Sequence, residues 1–295
     1  MRRLIHISDI HFGRVDHATV APLIRAAHEV KPDVIIVSGD LTQRAHKAEF
    51  REARLFLDAL PRPQLVVPGN HDVPFYNVAA RFLAPLANYR RYIGADLEPR
   101  YEDAELIIQG VNTARSLTWK NGRINARQIE LMRSSFCTEA DETRSAPTDV
   151  SPRTKILVTH HPLDLPRRFA DDDIVGRAST AMTTLASCGV DLLLAGHYHI
   201  AHTGDTRSRY PIAGFAALVV QAATTISSRR REEPNSFNLL HIEPGEITVD
   251  RYTWRPADGV FASFLTEHFH RTPSGWARRE TSVPEGKEVV IDEQQ

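Results

Sequence analysis

The chain has no apolar run long enough to cross a membrane as a helix. The first apolar stretch, 4–7, is only a few residues long, whereas a membrane span needs about 20 apolar residues and a signal-peptide core about 7 to 15. We therefore predict a cytoplasmic protein without a transmembrane segment. Peripheral contact with a membrane stays open, because an amphipathic or cationic surface needs no targeting segment.

Cysteine is nearly absent, since Cys137 and Cys188 are the only two in 295 residues. Proteins that depend on a disulfide framework carry several cysteines at short spacings. These two are too few and too far apart in the sequence to indicate such a framework. Their scarcity favours a reducing compartment, and neither residue lies near the motifs described below.

An excess of charge of either sign is also lacking. The 36 lysines and arginines are balanced by 37 aspartates and glutamates, which gives a net charge of −1. A dedicated nucleic-acid-binding protein normally carries a basic excess on one face, so we expect no nucleic-acid partner. The basic run 229–231 is followed at once by Glu232 and Glu233, and we interpret it as a solvated loop.

No long Gly, Ser or Pro-rich linker divides the chain, and it contains no internal repeat. The composition, 42% hydrophobic and 25% charged, is typical of a globular protein with a large core. We predict a single domain over 1–255, because α/β folds of this size often form one unit. The segment 256–295 is weakly periodic and ends in polar residues, so we predict a poorly ordered C-terminal extension.

The first two-thirds of the chain alternate β-rich runs with helical periodicity, which is typical of an α/β layered fold. Buried strands are predicted over 4–8, 34–38, 64–67, 105–111, 155–159 and 191–195. Helices are predicted over 125–136 and 176–188, and apolar residues at helical spacing predict two more between the first three strands. Later strand-like runs at 211–221, 236–242 and 246–254 are expected to complete a second sheet, with a hairpin turn at Pro244 and Gly245.

Polar motifs follow five of the predicted strands. They are Asp9-Ile10-His11, Gly39-Asp40, Gly69-Asn70-His71-Asp72, His160-His161 and Gly196-His197-Tyr198-His199. Ligands gather at the carboxyl ends of strands in open α/β sheets, so these chain-distant residues are expected to converge. Carboxylate, amide and imidazole groups form a mixed ligand set that divalent transition metals accept. The sequence therefore predicts a metal site.

Each motif alone is weak evidence for a metal. An Asp near a strand end is often part of a turn, and one histidine after an apolar run is usually structural. Four histidines at two strand ends, together with the acidic and amide motifs, favour a metal, because buried polar groups need partners and a cation serves them all. Asp40 has two carboxylate oxygens and is suited to bridge two cations. The remaining histidines lie outside these motifs, and we interpret them as having no role in metal binding.

In this order, and over most of the first two hundred residues, the motifs resemble those of the calcineurin-like metallophosphoesterase superfamily. The resemblance implies an α/β fold, a four-layer α/β/β/α sandwich with two mixed β-sheets. It implies two divalent metal ions, iron, manganese or zinc, as cofactors. The implied ligands are Asp9, His11 and His199 for one metal and Asn70, His160 and His197 for the other, with Asp40 as the bridge.

The resemblance also implies roles for residues beside the ligands. His71 would contact the phosphate and protonate the leaving group, and Asp72 would orient His71, by analogy with other carboxylates behind metal ligands. By the resemblance, His161 occupies a position whose side chain usually lies behind the metal ligands and supports them. Three arginines beyond strand ends are separate candidates for binding a substrate phosphate or sugar: Arg14, Arg44 and Arg115.

The implied metal pair fits phosphate ester hydrolysis without a covalent intermediate. Two metals about 3.5 to 4 Å apart share a hydroxide and clamp the attacking and leaving oxygens. Within the superfamily the motif set looks most like bacterial cyclic-nucleotide and glycerophosphodiester phosphodiesterases. We therefore predict a binuclear-metal-dependent phosphodiesterase that hydrolyses a small-molecule phosphodiester by attack of a metal-bound hydroxide.

Alternative functions remain open, among them other metallophosphoesterase activities, because the metal core reports chemistry rather than substrate. A UDP-2,3-diacylglucosamine-type pyrophosphate hydrolase would need an apolar groove for its acyl chains, and 73–92 is the candidate for this groove. The wider segment 73–100 either forms a cap over the site or packs on the core as a helix. A non-catalytic scaffold is less favoured, because every expected ligand is present. A homodimer through the edge of 236–254 and a closed intramolecular sheet are equally open.

Overall fold

The computed structural model describes residues 1–118, 120–137, 153–166, 168–170, 173–229 and 233–279. Within these residues the strands form two mixed sheets. In spatial order, the first sheet contains β13 (Gly275–Arg278), β12 (Val260–Thr272), β11 (Glu246–Arg255), β10 (Ser236–Glu243), β1 (Arg2–Ile7), β2 (Val34–Val37) and β3 (Gln64–Val66). The second contains β4 (Arg100–Glu102), β5 (Leu106–Val111), β6 (Thr154–Thr159), β7 (Leu192–Ala195), β9 (Leu218–Gln221) and β8 (His202–Asp205).

The α-helices of the described segments lie between strands in the chain, and several of them begin at a residue whose side chain caps the first turn. They are α1 (His17–Val30), α2 (Lys47–Ala59), α3 (Val78–Leu83), α4 (Ala87–Tyr92), α5 (Ala126–Phe136) and α6 (Ala178–Ser187). Asn125 and Gln128 form a reciprocal capping box that starts α5. Gly189, at φ +62°, follows the end of α6. No helix in the described part of the chain has the length and apolar character needed to span a bilayer.

Three apolar clusters define the order of the layers. Helices α1 and α2 pack on the first sheet through a cluster that includes Phe50 and Ile35. The two sheets face each other through a second cluster, which includes Ile36 and Ile156. A third cluster, with Met132, joins the second sheet to α5 and α6. The adjacent residues Ile35 and Ile36 face opposite sides of one strand, as its pleat requires. The predicted α/β/β/α class is confirmed.

The predicted early strands and the two bounded helices agree with the structure to within two residues at each end. The assignment of the late strands is wrong in part. Only 218–221 of the predicted run 211–221 is a strand of the second sheet, whereas β10 pairs antiparallel with β1 and brings β11 into the first sheet. The reason is packing, since Ile242 and Val249 enter the apolar cluster between the sheets. The hairpin turn at Gly245, φ +76°, is as predicted.

The prediction that the chain beyond 255 is poorly ordered is wrong for 260–278. This segment forms β12 and β13 and extends the first sheet. Phe269 and Trp276 join the cluster between the sheets, and Trp276 Nε1 donates to Asp191 Oδ1 at 3.1 Å. One face of β12 is largely exposed to solvent, so the strand lacks a strong apolar signal in the sequence. Residues 280–295 lie outside the described segments.

The segment 236–254 is not an edge available for pairing between subunits. Strand β10 is paired with β1 and β11, and β11 is paired with β10 and β12. The closed intramolecular arrangement is therefore the correct one of the two alternatives for these strands. A homodimer through another surface stays a prediction.

The interpretation of the two cysteines is also corrected by the structure. Cys137 and Cys188 form a disulfide, with their Cα atoms 4.4 Å apart. Cys137 follows α5 and Cys188 follows α6, and these helices lie side by side on the second sheet. Separation along the chain therefore hid a contact that the helical layer creates. The argument for a reducing compartment loses its support, because disulfides persist mainly in oxidising environments.

Candidate metal centre

The five motifs lie together at the carboxyl ends of β1, β2, β3, β6 and β7. Strands β1 to β3 run parallel in one sheet, and β6 and β7 run parallel in the other. Backbone hydrogen bonds join the loops, from His11 N to Asp40 O at 3.0 Å and from Gly196 N to His160 O at 3.1 Å. The structure thus brings together all seven predicted ligands: Asp9, His11, Asp40, Asn70, His160, His197 and His199.

One group of ligand atoms comes from Asp9, His11 and His199. The Nε2 atoms of the two histidines are 3.1 Å apart, and Asp9 Oδ1 lies 3.2 Å from that of His199. The Nδ1 atoms of His11 and His199 face the carbonyl oxygens of Thr42 at 3.3 Å and Arg229 at 3.0 Å. A carbonyl only accepts, so each Nδ1 carries the proton and each neutral ring presents a lone pair at Nε2.

This first group fits a metal ion. Two nitrogen lone pairs face each other, and the buried Asp9 Oδ1 receives no hydrogen bond from the described residues. Such an arrangement of acceptors is unfavourable without a cation among them. The separations also fit, because two ligands with bonds of about 2.1 Å to one tetrahedral ion lie roughly 3.4 Å apart. The orientation of each ring by a carbonyl behind it is typical of metal-binding histidines.

A second group is formed by His160, Asn70, Asp40 and His197. His160 Nε2 lies 3.1 Å from Asn70 Oδ1 and 3.3 Å from Asp40 Oδ1. His160 Nδ1 faces the carbonyl of Ser38 at 2.8 Å, so its Nε2 again carries the lone pair in the neutral ring. The ring of His197 stands 5.1 Å from that of His160. This donor set also fits a divalent ion.

Asp40 lies between the two groups. Its Oδ1 is 3.3 Å from His160 Nε2, and its Oδ2 is 3.8 Å from His11 Nε2. Burial opposes ionisation of Asp40, yet whenever the neighbouring rings of His160 and His71 are protonated, their charges hold the pKa of Asp40 below its usual range. One carboxylate therefore presents one oxygen to each group, which is the placement that a bridging ligand needs.

The backbone at this site is held in an unusual conformation. Five of the ligand residues have φ between +45° and +78°, in the left-handed region: Asp9, His11, Asp40, His197 and His199. Non-glycine residues there cost about 1 to 3 kcal/mol each and persist only where the surroundings fix them. The loops approach closely, because a Cβ on Gly196 would lie 2.6 Å from Asp9 Oδ2. Such strain clusters at functional sites.

His71 projects into the cavity above the ligand groups. Its Nδ1 lies 2.9 Å from the carbonyl of Gln43, and its Nε2 lies 2.9 Å from Arg229 Nη1. Because the carbonyl accepts and the guanidinium donates, the ring is protonated at Nδ1 and accepts at Nε2. The ring of His71 therefore lies in the cavity wall, with Nε2 next to the guanidinium of Arg229.

We predicted that Asp72 orients the ring of His71, but its carboxylate has other partners in the structure. Its carboxylate is buried and accepts from the backbone N–H groups of Thr42 and Gly69, each at 2.9 Å. The ring of His71 is oriented by Gln43 instead. A carboxylate shared by backbone groups of two loops fixes the loops themselves, so Asp72 acts on the site through the main chain.

His161 lies beside the ligands with both ring nitrogens engaged by protein groups. Nδ1 is 2.7 Å from Thr113 Oγ1, and Nε2 is 2.9 Å from the carbonyl of Lys120. Its ring packs 4.5 Å from that of His197. Although the residue is close enough to His160 and His197 to share a cation, its hydrogen bonds favour the predicted supporting position over ligation.

None of the three predicted substrate-binding arginines is among the described residues that line the cavity. Arg115 donates to the carbonyls of Asn112 and Ala114, which ties it into its own loop. The guanidinium of Arg44 lies 5.1 Å from the centre of the exposed Tyr76 ring. Arg14 is exposed and does not line the cavity. The expectation that functional residues follow the carboxyl ends of strands located these loops, but it gave no information on the direction of their side chains.

The ligand groups open into a cavity of about 230 Å³. Besides ligand residues and His71, its walls are formed by Gln43, Val73, Phe75, Lys120, Tyr198 and Arg229. Arg229 was interpreted from the sequence as part of a solvated loop, so its position in the cavity wall was not predicted. The available signal was its position after β9, which runs parallel to β7 and ends at the same edge of the sheet.

The segment 73–100 combines the two predicted alternatives. Leu86 and Tyr89, in and next to α4, are buried against the core. The first half is open to solvent, with Phe75 49% exposed at the cavity and Tyr76 66% and Phe82 50% exposed beside it. The second half therefore packs as a helix, while the first half forms one side of the cavity mouth.

Residues 2–201 match the family model of the calcineurin-like phosphoesterases, and the chain belongs to this family. It is 25% identical over 274 residues to a cAMP/cGMP dual specificity phosphodiesterase of Mycobacterium tuberculosis, covering 83% of this chain and 77% of that protein. It is 37% identical over 81 residues to a glycerophosphodiester phosphodiesterase of Enterobacter lignolyticus, but this match spans 23% of the chain and only 29% of that relative.

The fold is similar to that of a purple acid phosphatase from yellow lupin, Lupinus luteus. The TM-score is 0.62 at 12% identity, over 90% of this chain and 53% of that one. This likeness concerns the fold alone. Family membership identifies the chain as a phosphoric ester hydrolase, and its Asp and His groups are suited to bind divalent metal ions. The family predicted from the motifs is confirmed.

Proposed function

We propose that the protein is a phosphodiesterase that depends on two divalent metal ions. The observation that carries this proposal is the position of Asp40, whose two oxygens face two groups of lone-pair donors. Asp9, His11 and His199 would hold one ion, and Asn70, His160 and His197 would hold the other. Two adjacent ions would supply a nucleophile from water at neutral pH and offset the charge of the phosphate.

The residues of the chain itself supply orientation and a proton. Gln43 holds the His71 ring so that Nε2 points into the cavity. When Nε2 carries a proton, His71 can donate it to the oxygen of the leaving group. The carboxylates and imidazoles below it are almost entirely buried, so their charges act in a medium where electrostatic interactions are stronger than in water.

The substrate class is proposed from the relatives and from the cavity. The curated relatives reported above are named for cyclic nucleotides and for glycerophosphodiesters. A cavity of about 230 Å³ suits the phosphate and the groups next to it in a small diester. We propose a diester of this type. For the metals, mixed nitrogen and oxygen donors accept iron, manganese or zinc, so availability decides between them.

The exposed apolar residues at the cavity mouth favour a second candidate function. Phe75, Tyr76, Val78, Phe82 and Leu83 are each at least 49% exposed within one short segment. An apolar surface of this kind next to a catalytic cavity can bind an apolar part of a ligand. A pyrophosphate hydrolase of the UDP-2,3-diacylglucosamine type, which acts on an ester with acyl chains, is therefore the alternative.

The test is the initial rate of manganese-reconstituted protein on bis(p-nitrophenyl) phosphate, compared with a chelated sample. We expect turnover that disappears with the chelator and returns with added metal. A parallel assay on p-nitrophenyl phosphate separates diester from monoester activity. Absence of diester turnover in protein shown to contain two metals per chain would contradict the proposal, and preference for UDP-2,3-diacylglucosamine would favour the alternative.

Cellular location and partners stay predictions. A cytoplasmic location was predicted from the sequence, but the Cys137–Cys188 disulfide argues for an oxidising environment. The absence of a nucleic-acid partner, which we expect from the near-zero net charge, stays a prediction, as does the small-molecule substrate. A homodimer, if formed, would use a surface other than 236–254.

A further inference from the structure

Arg229 reaches across the cavity from a loop that is tightly fixed at its backbone. Its backbone N–H donates to Ser227 Oγ at 3.1 Å, and its carbonyl oxygen accepts from His199 Nδ1 at 3.0 Å. The neighbouring Ser228 N donates to the carbonyl of Arg14 at 2.7 Å. These contacts fix the main chain at Arg229, and one of them, the hydrogen bond from His199 Nδ1, also orients a predicted metal ligand.

The side chain of Arg229 meets only neutral partners among the described residues. Nη1 lies 2.9 Å from His71 Nε2 and 3.5 Å from Gln43 Oε1. A guanidinium has five N–H donors in a planar fork, and these two contacts share one nitrogen. The group is always charged, and no carboxylate of the described segments lies within ion-pair distance of it. It is thus a cation with unused donors at a cavity wall.

We propose that Arg229 binds the phosphoryl group of the substrate. Its fork matches two phosphate oxygens, and such bidentate, charge-assisted hydrogen bonds are stronger than those to a neutral imidazole or amide. Substrate would therefore replace His71 as the partner of the guanidinium. The inference rests on the proposed function, because it assigns a phosphate-binding residue to that same cavity.

The exchange of partners has a consequence for His71. In the structure the lone pair of His71 Nε2 accepts from Arg229. When the guanidinium turns to a phosphate, Nε2 is released while Nδ1 stays bound to the Gln43 carbonyl. The same binding event thus holds the phosphate and frees the nitrogen that faces the leaving group.

The variants Arg229→Gln and Arg229→Lys test this inference on the full chain loaded with manganese. Arg255→Gln is the matched control, because Arg255 is exposed on β11 and donates to the backbone carbonyl of Ser263. The probe is inorganic phosphate, whose dissociation constant is measured by calorimetry and whose inhibition constant is measured against bis(p-nitrophenyl) phosphate. Metal content and thermal unfolding are recorded for every variant.

We expect Arg229→Gln to weaken phosphate binding about 10-fold or more, because a hydrogen bond to a charged group is lost. Arg229→Lys should recover part of it, since charge returns without the planar fork. Arg255→Gln should match the parent protein. Unchanged phosphate affinity in metal-loaded Arg229→Gln would overturn the inference, even if turnover fell, because Arg229 would then only position His71.

The outcome can be separated from that of the proposed function. The calorimetric titration needs no turnover, so it tests Arg229 even in a protein that hydrolyses no diester. Should Arg229→Gln lose metal or unfold, the comparison is made with Arg229→Lys, for which we expect a smaller loss of phosphate affinity at full metal content. Failure of phosphate to bind the metal-loaded parent protein at millimolar concentration would also overturn the inference.

Discussion

The floor and the rim of the cavity are built in different ways. The floor consists of the seven proposed ligand residues Asp9, His11, Asp40, Asn70, His160, His197 and His199, and the rim consists of Phe75, Lys120 and Arg229. Most of the floor is buried, and five of its residues have left-handed backbone. The rim side chains are more accessible, with Phe75 49% and the Lys120 side chain 61% exposed.

Under the proposed function, this difference would place the chemistry on the floor and the choice of substrate on the rim. The floor follows directly from strand ends in two packed sheets, so its geometry depends on the core of the protein. The rim comes from loops and from the open half of 73–100, where changes cost little packing. We therefore expect changes in the floor to abolish reaction and changes in the rim to alter substrate affinity.

Asn70→Ala should give the largest effect and act on the floor alone. We expect turnover to fall at least about 100-fold, since even residues behind metal ligands cost 10-fold to 100-fold when removed. Stability should change little, because Asn70 is only partly buried. The kcat on bis(p-nitrophenyl) phosphate, metal content and thermal unfolding are measured together.

Asn88→Ala is the matched control for that variant. Asn88 is also partly buried and donates to the carbonyl of Ala45 at 3.1 Å, and it is not among the residues that line the cavity. We expect it to keep the parent turnover. Equal turnover in Asn70→Ala and the parent protein would contradict the proposed ligand set.

The variant His6→Gln tests the contribution of a buried histidine behind the floor. His6 Nε2 lies 2.9 Å from Ser38 Oγ, and the carbonyl of Ser38 orients His160. Burial lowers the pKa of His6 to about 3. Because the unfolded chain binds this proton near pH 6.5 and the folded protein does not, stability falls as pH drops below 6.5 towards 3. The loss between pH 6.5 and 5 is about 2 kcal/mol.

Urea unfolding of chelated protein at pH 6.5 and pH 5 measures this loss. The parent protein should lose about 2 kcal/mol more than His6→Gln over that interval. His17→Gln, at an exposed histidine, should behave as the parent protein does. An identical pH dependence for His6→Gln and the parent would show that His6 is not held neutral in the fold.

Phe75→Ala should give the smallest effect and act on the rim alone. We expect the KM for bis(p-nitrophenyl) phosphate to rise about 5-fold with kcat nearly unchanged, since partial burial of an aromatic ring is worth about 1 kcal/mol. Phe82→Ala is the control, because Phe82 is similarly exposed but does not line the cavity. An equal change in KM for both variants would show that the apolar segment acts through its general packing and that Phe75 has no specific contact with substrate.

Sequence reasoning succeeded where the signal was local. Buried strands such as β2 are short apolar runs, and the polar residues that follow them are read directly from the chain. The family motifs then assigned roles to residues such as Asp40 and His160. It did not give the contacts of Asp72 or the positions of the three arginine side chains relative to the cavity, because a residue's position in the sequence does not give the direction in which its side chain points.

The sequence alone determined the layered class, the family and the residues that make up the floor, since each depends on residue type and on spacing along one strand and its loop. Only the tertiary structure decided the Cys137–Cys188 disulfide, the entry of β10 to β13 into the first sheet and the presence of Arg229 at the rim. Each of these joins segments far apart in the chain, and such contacts arise from the packing of layers, which spacing along the chain does not encode.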